Sequence, residues 1–352
     1  MLDFALAGKM SSRVFVAMSG GVDSSLAAAL LTEAGYDVIG ITMGLWADSP
    51  EGTDYAKQVC HDLGMPFHVL NFEPEFQNYV IDYFCEEYSR GRTPNPCLAC
   101  NERVKFGLLL KKALELGADY LATGHYARIN HSQGRYRLLK GIDPAKDQSY
   151  VLYTLRQDQL KHLLFPLGEF RKDEVRRMAA ARGLHTHDKD ESQDVCFIPN
   201  GNYASFLIQR LSPAPGEIVD LEGKVVGEHQ GIASYTIGQR QGLGIASPEP
   251  LYVLRIDAQT NTLVVGPEAE LFSDTLWASN VNFISGDPPP GDIEVGAKIR
   301  YRSTEAEAVL SPQGELFQLR FHEPQRAITP GQAVVFYHGD EVLGGGIIDR
   351  AV

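Results

Sequence analysis

The segment Ser19-Gly20-Gly21-Val22-Asp23-Ser24-Ser25 constrains this chain more than any other. It follows the apolar run Val14 to Met18 and opens a helical pattern from about Ser24 to Ala34, which makes it a strand-to-helix turn. Two adjacent glycines let the backbone come close to an anion. The helix start aims N–H groups and the positive end of its dipole at the same point, and the serines add hydroxyl donors. Phosphate suits such a turn, and Asp23 can hold Mg²⁺ on a pyrophosphate. The plainer reading is a glycine turn with no ligand, and the complete Ser-Gly-Gly-x-Asp-Ser string between strand and helix argues against it. Neither a Walker A loop nor the dinucleotide G-x-G-x-x-G is present.

The same alternation continues: Asp37 to Met43, a helix around Tyr55 to Leu63, Pro66 to Leu70, then a helix Val104 to Leu116 that ends at Gly117 and leads into Tyr120 to Thr123. Strands alternating with amphipathic helices predict an α/β domain with a doubly wound, Rossmann-like parallel sheet. Beyond about Gly201 the texture changes to short β-rich runs such as Leu251 to Ile256, Thr262 to Val265, Lys298 to Tyr301, Leu316 to Phe321 and Ala333 to Tyr337. These predict two small, mostly β units, the last a β-barrel. The 352 residues exceed what one core organises. The expected domains are 1–200, phosphate-binding and catalytic, 201–275, central and β-rich, and 276–352, the barrel.

The first nine residues contain Asp3 and lack the basic lead-in of a signal peptide, and Met10 offers a second start. No apolar run approaches the ~20 residues of a membrane span, so the expectation is a cytoplasmic protein without a membrane partner. The formal charge is −13, yet residues 90–182 hold 18 Lys and Arg against 9 Asp and Glu. Solvated helix faces and a surface for a polyanion both account for that surplus.

Five cysteines in so long a chain are no disulfide scaffold. Cys97 and Cys100 stand in Pro94-Asn95-Pro96-Cys97-Leu98-Ala99-Cys100-Asn101, just before a helix, where the helix start favours thiolate. A third thiol stands in Ser192-Gln193-Asp194-Val195-Cys196-Phe197. Cys-x-x-Cys alone lacks the further ligands that zinc requires. Cys60 and Cys85 fall in helical patterns and read as packing residues. His185-x-His187 with Asp188 and Asp190 reads as a polar loop rather than a metal site, so no metal ligand set is expected.

The loop resembles that of enzymes that split ATP into AMP and pyrophosphate. That likeness implies nucleotide contacts from Ala17, Met18, Ser19, Gly20, Gly21, Val22, Asp23 and Ser24, with Met43 and Gly124 lining the adenine pocket. A closer resemblance covers nearly the whole chain: the loop, Gly91-Arg92-Thr93-Pro94-Asn95-Pro96, Ala122-Thr123-Gly124-His125-Tyr126, Lys146-Asp147-Gln148-Ser149-Tyr150, Ser192 to Cys196, Gly238-Gln239-Arg240 and Thr329-Pro330-Gly331-Gln332. In these strings and their order the chain resembles the tRNA-specific 2-thiouridylases.

The resemblance implies a transferase that uses ATP and Mg²⁺ to adenylate the C2 oxygen of the wobble uridine and then replaces that oxygen with sulfur. Cys196 would carry a persulfide received from a donor protein, and Cys100 would resolve the adduct, leaving a Cys100–Cys196 disulfide. His125, Lys146, Asp147, Gln148, Arg300, Tyr301 and Gln332 would lie against the tRNA anticodon stem-loop. Familiar members carry Asp where this chain has Cys97, the position assigned acid/base work on the base. Cys97 therefore stands as a catalytic substitute, as a spare thiol, or with Cys100 and Cys196 as a ligand of a [4Fe-4S] cluster.

Overall fold

The computed structural model describes residues 12–45, 50–185, 195–198 and 201–352. The extension at residues 1–9, Met10, Ser192 to Asp194, and His187, Asp188 and Asp190 of the polar loop lie outside the described residues. Two compact units form, and the chain crosses between them several times. One gathers Met1–Gln77, Cys100–Gln193 and Asp340–Val342; the other gathers Asn78–Ala99, Asp194–Gly339 and Leu343–Val352.

In the first unit β1 (Arg13–Ala17), β2 (Asp37–Gly44), β3 (Phe67–Asn71), β4 (Tyr120–Ala122) and β5 (Leu163–Leu164) form one sheet in the order β3-β2-β1-β4-β5, every pair parallel. Val14 and Val16 are fully buried, as a strand covered on both faces requires. Helix α1 (Val22–Glu33) buries Leu26 through Leu31 without a break and is therefore an interior helix. It packs against the helix Lys172–Ala181. The chain walks outward from β1 to β3 and then returns to β4 on the other side. Strand order thus reverses between β1 and β4, and ligands of such sheets bind at the carboxyl ends of the strands flanking that reversal.

Two expected elements differ: the run read as a strand from Lys298 to Tyr301 meets only the last residue of the strand Ile293–Lys298 and continues as a turn, and a helix departs from its expected course. The helix predicted over Val104 to Leu116 begins earlier, with Pro96–Ala99, passes through a wider π-type winding over Cys100–Leu109 and finishes as Leu110–Glu115. An i→i+5 winding carries more residues per turn, so the apolar positions lose the 3.6-residue period that marks a helix in sequence. A hairpin, Ala127–Ser132 with Arg135–Lys140, also interrupts the α/β alternation.

The second unit holds two β structures. A four-stranded sheet orders Tyr252–Asp257, Thr262–Gly266, Gly216–Val219 and Val225–His229 around Ile218, Val253, Leu263 and Val265. A six-stranded barrel follows, closed by pairing of Phe272–Phe283 with Glu341–Ala351 and filled by Leu276, Leu319, Val334, Phe336 and Ile348. Closure removes the unpaired edges that an open sheet would present. Among the described residues no helix is long and apolar enough to cross a membrane.

Candidate active site

The glycine turn occupies the carboxyl end of β1. Gly20 has φ +72°, and an added Cβ would collide with the carbonyl of Gly52, so only glycine serves there. The turn is braced by its own serines. The Ser19 N–H donates to Ser24 Oγ at 3.1 Å, and the Ser24 and Ser25 hydroxyls donate to the Gly21 carbonyl at 3.2 and 2.8 Å. The buried Thr42 hydroxyl on β2 donates to the Met18 carbonyl at 2.8 Å and ties the turn to the neighbouring strand. Met43 is half-buried one residue further along β2.

Gly124, just past β4, closes the other wall. A Cβ there would stand 2.9 Å from the Asp23 carbonyl carbon and from the Ser24 nitrogen, so Gly124 lies directly on the phosphate turn. Of the sequence-predicted nucleotide residues, this brings together the turn and Gly124. Asp23 is held from two directions. Tyr126 Oη donates to Asp23 Oδ1 at 2.7 Å, and Lys172 Nζ donates to Oδ1 and Oδ2 at 2.7 and 2.8 Å. Lys172 reads in sequence as one of several cations on a basic helix. It is instead only 8% exposed, and sequence reasoning missed its place beside the turn.

The Lys146-Asp147-Gln148 string braces the same region. Asp147 Oδ1 accepts from the N–H groups of Gly141 and Ser149, and Gln148 Oε1 accepts from the Tyr126 N–H at 3.0 Å while its own N–H donates to the Tyr126 carbonyl. These acceptors act within the fold.

His125 is 8% exposed, its ring 5.7 Å from that of Phe106 and 5.9 Å from that of Phe165, with Nδ1 2.7 Å from the Thr123 hydroxyl. Burial, and secondarily the Lys105 ammonium, hold its pKa well below the ordinary imidazole value. The folded protein therefore keeps His125 neutral, while the unfolded chain takes up a proton near pH ~6.5. Its contribution to stability is complete above that pH and is lost as pH falls below it, by at most about 1.4 kcal/mol per pH unit until the depressed folded value is reached. Urea unfolding at pH 7.5 and 5.5 should show that loss, and His125→Phe should show a smaller difference between the two pH values.

The thiol segments lie on other supports. Arg92 Nε donates to Glu87 Oε2 at 2.8 Å, and Glu87 is 6% exposed. The Thr93 N–H donates to the Pro330 carbonyl at 2.9 Å, and Gln332 Nε2 donates to the Thr93 carbonyl at 2.7 Å. Gly331, with φ +90°, leaves no room for a Cβ, which would stand 2.9 Å from the Thr93 nitrogen. The barrel's Thr-Pro-Gly-Gln turn thus clamps the segment that leads into Cys97. Asn95 Oδ1 accepts from the Cys97 N–H at 3.0 Å, starting the short helical turn that carries that thiol.

Cys97 and Cys196 are exposed and Cys100 is buried. Cys196 stands on a turn whose next residue, Phe197, packs on Phe84 and Phe206 at 5.6 and 5.3 Å between ring centroids. Burial raises the pKa of Cys60 to about 11 and also raises that of Cys85, as fits packing thiols. Among the described residues no group of three or more His, Cys, Asp or Glu side chains could hold a metal ion.

Of the other residues expected against RNA, Arg300 donates to the Arg326 carbonyl at 3.1 Å, Tyr301 is 37% exposed, and Gln332 holds Thr93 as described. Several cations of the basic segment are paired: Arg128 with Asp340, Arg182 with Glu33 and Arg177 with Asp173. Such pairs weaken the simple picture of a bare positive surface.

Residues 12–200 match the family model described as a tRNA methyl transferase HUP domain, 204–267 that of a tRNA methyl transferase PRC-barrel domain, and 273–348 that of an aminomethyltransferase beta-barrel domain. The chain is 52% identical over 356 residues to the tRNA-specific 2-thiouridylase MnmA of Carboxydothermus hydrogenoformans, covering 96% of this chain and 98% of the relative. It is 51% identical over 363 residues to the protein of the same name from Geobacter metallireducens, covering 98% of each. Among solved structures, the U34-tRNA thiolase NcsA from Methanococcus maripaludis with its [4Fe-4S] cluster is 20% identical. It aligns with 56% of this chain and 63% of its own at a TM-score of 0.36, too low to carry an argument.

Proposed function

The chain belongs to the tRNA-specific 2-thiouridylase family, and from that premise we propose that it is an ATP-dependent tRNA-uridine 2-sulfurtransferase acting on the wobble uridine. The observation that carries the reading is the co-occurrence, in one chain, of the braced phosphate turn under Gly124 and two exposed thiols on anchored turns. Two of the matched family models are described by methyl transfer. Methyl transfer from a preformed donor has no need of a turn that binds pyrophosphate, whereas adenylation followed by sulfur transfer uses both the turn and the thiols.

In the proposed reaction the uridine C2 oxygen attacks the α-phosphorus of ATP, and the bond to the β-phosphate oxygen breaks with its electron pair. The backbone N–H groups of the turn and the start of α1 hold the leaving pyrophosphate, whose charge Mg²⁺ bound with the nucleotide would help to offset. A persulfide on Cys196, loaded by a donor protein, then attacks C2 with its terminal sulfur and AMP departs. The Cys100 thiolate attacks the Cys196 sulfur, which frees the thiocarbonyl and leaves a Cys100–Cys196 disulfide for an external dithiol to reduce. Met43 and Gly124 border the base of ATP in this reading, and residues 1–200 form the catalytic domain. Residues 201–275 and 276–352 form the central and barrel domains. The barrel, with Arg300 and Tyr301, meets the anticodon stem-loop, while Gln332 and Gln148 support the chemistry from behind. Cys97 serves as acid/base substitute or spare thiol. The setting is the cytoplasm, where thiols stay reduced between turnovers.

The test is nucleoside mass spectrometry of unmodified tRNA incubated with the protein, ATP, Mg²⁺ and a persulfide donor. The expected product is 2-thiouridine, with one AMP per sulfur. AMP without sulfur in the RNA would sink the assignment. Iron analysis of anaerobically purified protein decides the cluster separately.

A further inference from the structure

Asp23 sits in the first turn of α1, within the segment that binds phosphate. A carboxylate there repels a polyanionic substrate unless something cancels it. A cation sits against it. Lys172 is buried, its ammonium 2.7 and 2.8 Å from the two Asp23 oxygens, although 149 residues separate them in sequence. The seat is fixed from several sides. The Lys172 N–H donates to Asp143 Oδ2 at 2.9 Å, and Asp143 is itself buried. The Arg171 N–H donates to Glu174 Oε2 at 2.8 Å and caps the helix. Tyr126 donates to the same carboxylate and puts its ring 5.5 Å from the ammonium.

A lysine is rarely buried unless paired, and packing alone would account for a pair that joins two helices. Its location argues for more. Asp23 keeps about a third of its side chain exposed while Lys172 is almost enclosed, so the ammonium is delivered from inside the fold to the rim of the phosphate turn. We infer that Lys172 is a further catalytic residue of the adenylation step: from its seat on Asp23 its ammonium contacts the departing pyrophosphate oxygens and neutralises the charge they gain as the α-phosphorus transfers to the uridine oxygen. This rests on the reading of the turn as an ATP site.

The experiment compares wild type, Lys172→Gln, Lys172→Met and Lys172→Arg by titration calorimetry with ATP and with AMP, and by single-turnover pyrophosphate release on unmodified tRNA. Pyrophosphate release should slow by about 10²- to 10³-fold in the Gln and Met variants, as for loss of a preorganised charge. ATP should bind about tenfold more weakly while AMP, which lacks the leaving phosphates, binds within about twofold of wild type. The Arg variant should release pyrophosphate about tenfold more slowly than wild type, because a planar fork does not replace a point charge. Equal weakening of ATP and AMP, or a lowered melting temperature with the rate per folded molecule unchanged, would overturn the role. Where neither the Gln nor the Met variant folds, a wild-type rate in the Arg variant would do the same. Should wild type itself bind no ATP, the nucleotide site fails and takes this inference with it.

Discussion

Replacing Cys196 with serine is expected to abolish 2-thiouridine formation, by about 10³-fold or more as for loss of a covalent nucleophile, while pyrophosphate release from ATP on tRNA stays near the wild-type rate. A serine hydroxyl cannot carry a persulfide, whereas adenylation depends on the phosphate turn and not on the Cys196 thiol. Cys100→Ser should also stop release of thiolated product, with a difference. The RNA should remain bonded to the protein through Cys196, visible as a slower band on a non-reducing gel that reductant removes. Cys97→Ser separates the readings of that residue. Full activity makes it a spare thiol, and loss of pyrophosphate release makes it a group acting on the uridine during adenylation. If Cys196→Ser still makes 2-thiouridine, sulfur arrives by another route and the persulfide chemistry is wrong.

Gly124→Val should weaken ATP binding by about 10²-fold or more, because its first carbon would already lie 2.9 Å from the backbone of Asp23 and Ser24, where real contacts do not occur. Either β4 backs away from the turn or the turn opens, and both spoil an anion cradle built from backbone N–H groups. The global cost should be about 1 to 3 kcal/mol, as for other overpacked sites. The variant should therefore remain folded in a thermal melt while calorimetry shows ATP affinity lost. Tight ATP binding by this variant would mean that the turn and the end of β4 do not form one site.

Much of the catalytic unit is legible in sequence because the physics is local. The turn announces itself, since glycine backbone freedom, serine hydroxyls and a helix start lie within seven consecutive residues. Four strands of the parallel sheet stand out as apolar runs within a residue or two of their bounds, while the two-residue edge strand Leu163–Leu164 is too short to show a pattern; the barrel shows as β-rich runs with glycine and proline between them. What escapes the sequence is pairing over distance. Nothing near Lys172 distinguishes it from Arg171 or Arg176, and only the fold brings it to Asp23. Gln148 and Gln332 look like surface amides by type, yet each holds a backbone group of a remote segment. The wide winding over Cys100–Leu109 blurs the 3.6-residue period at its start, so the helix reads as beginning at Val104 with Cys100 just before it.

The clamp on Thr93 has a consequence for how the protein is made. Its partner Gln332 is 239 residues further along the chain. At ~5–20 residues per second a ribosome needs roughly 10–50 s to reach it. For that interval the nascent segment carrying Cys97 and Cys100 lacks its brace, while all five strands of the parallel sheet, the last at Leu163–Leu164, are made well before Gln332. Synthesis therefore orders assembly: the nucleotide half matures first, and the sulfur-handling loop takes its final shape only when the last strands of the barrel are complete.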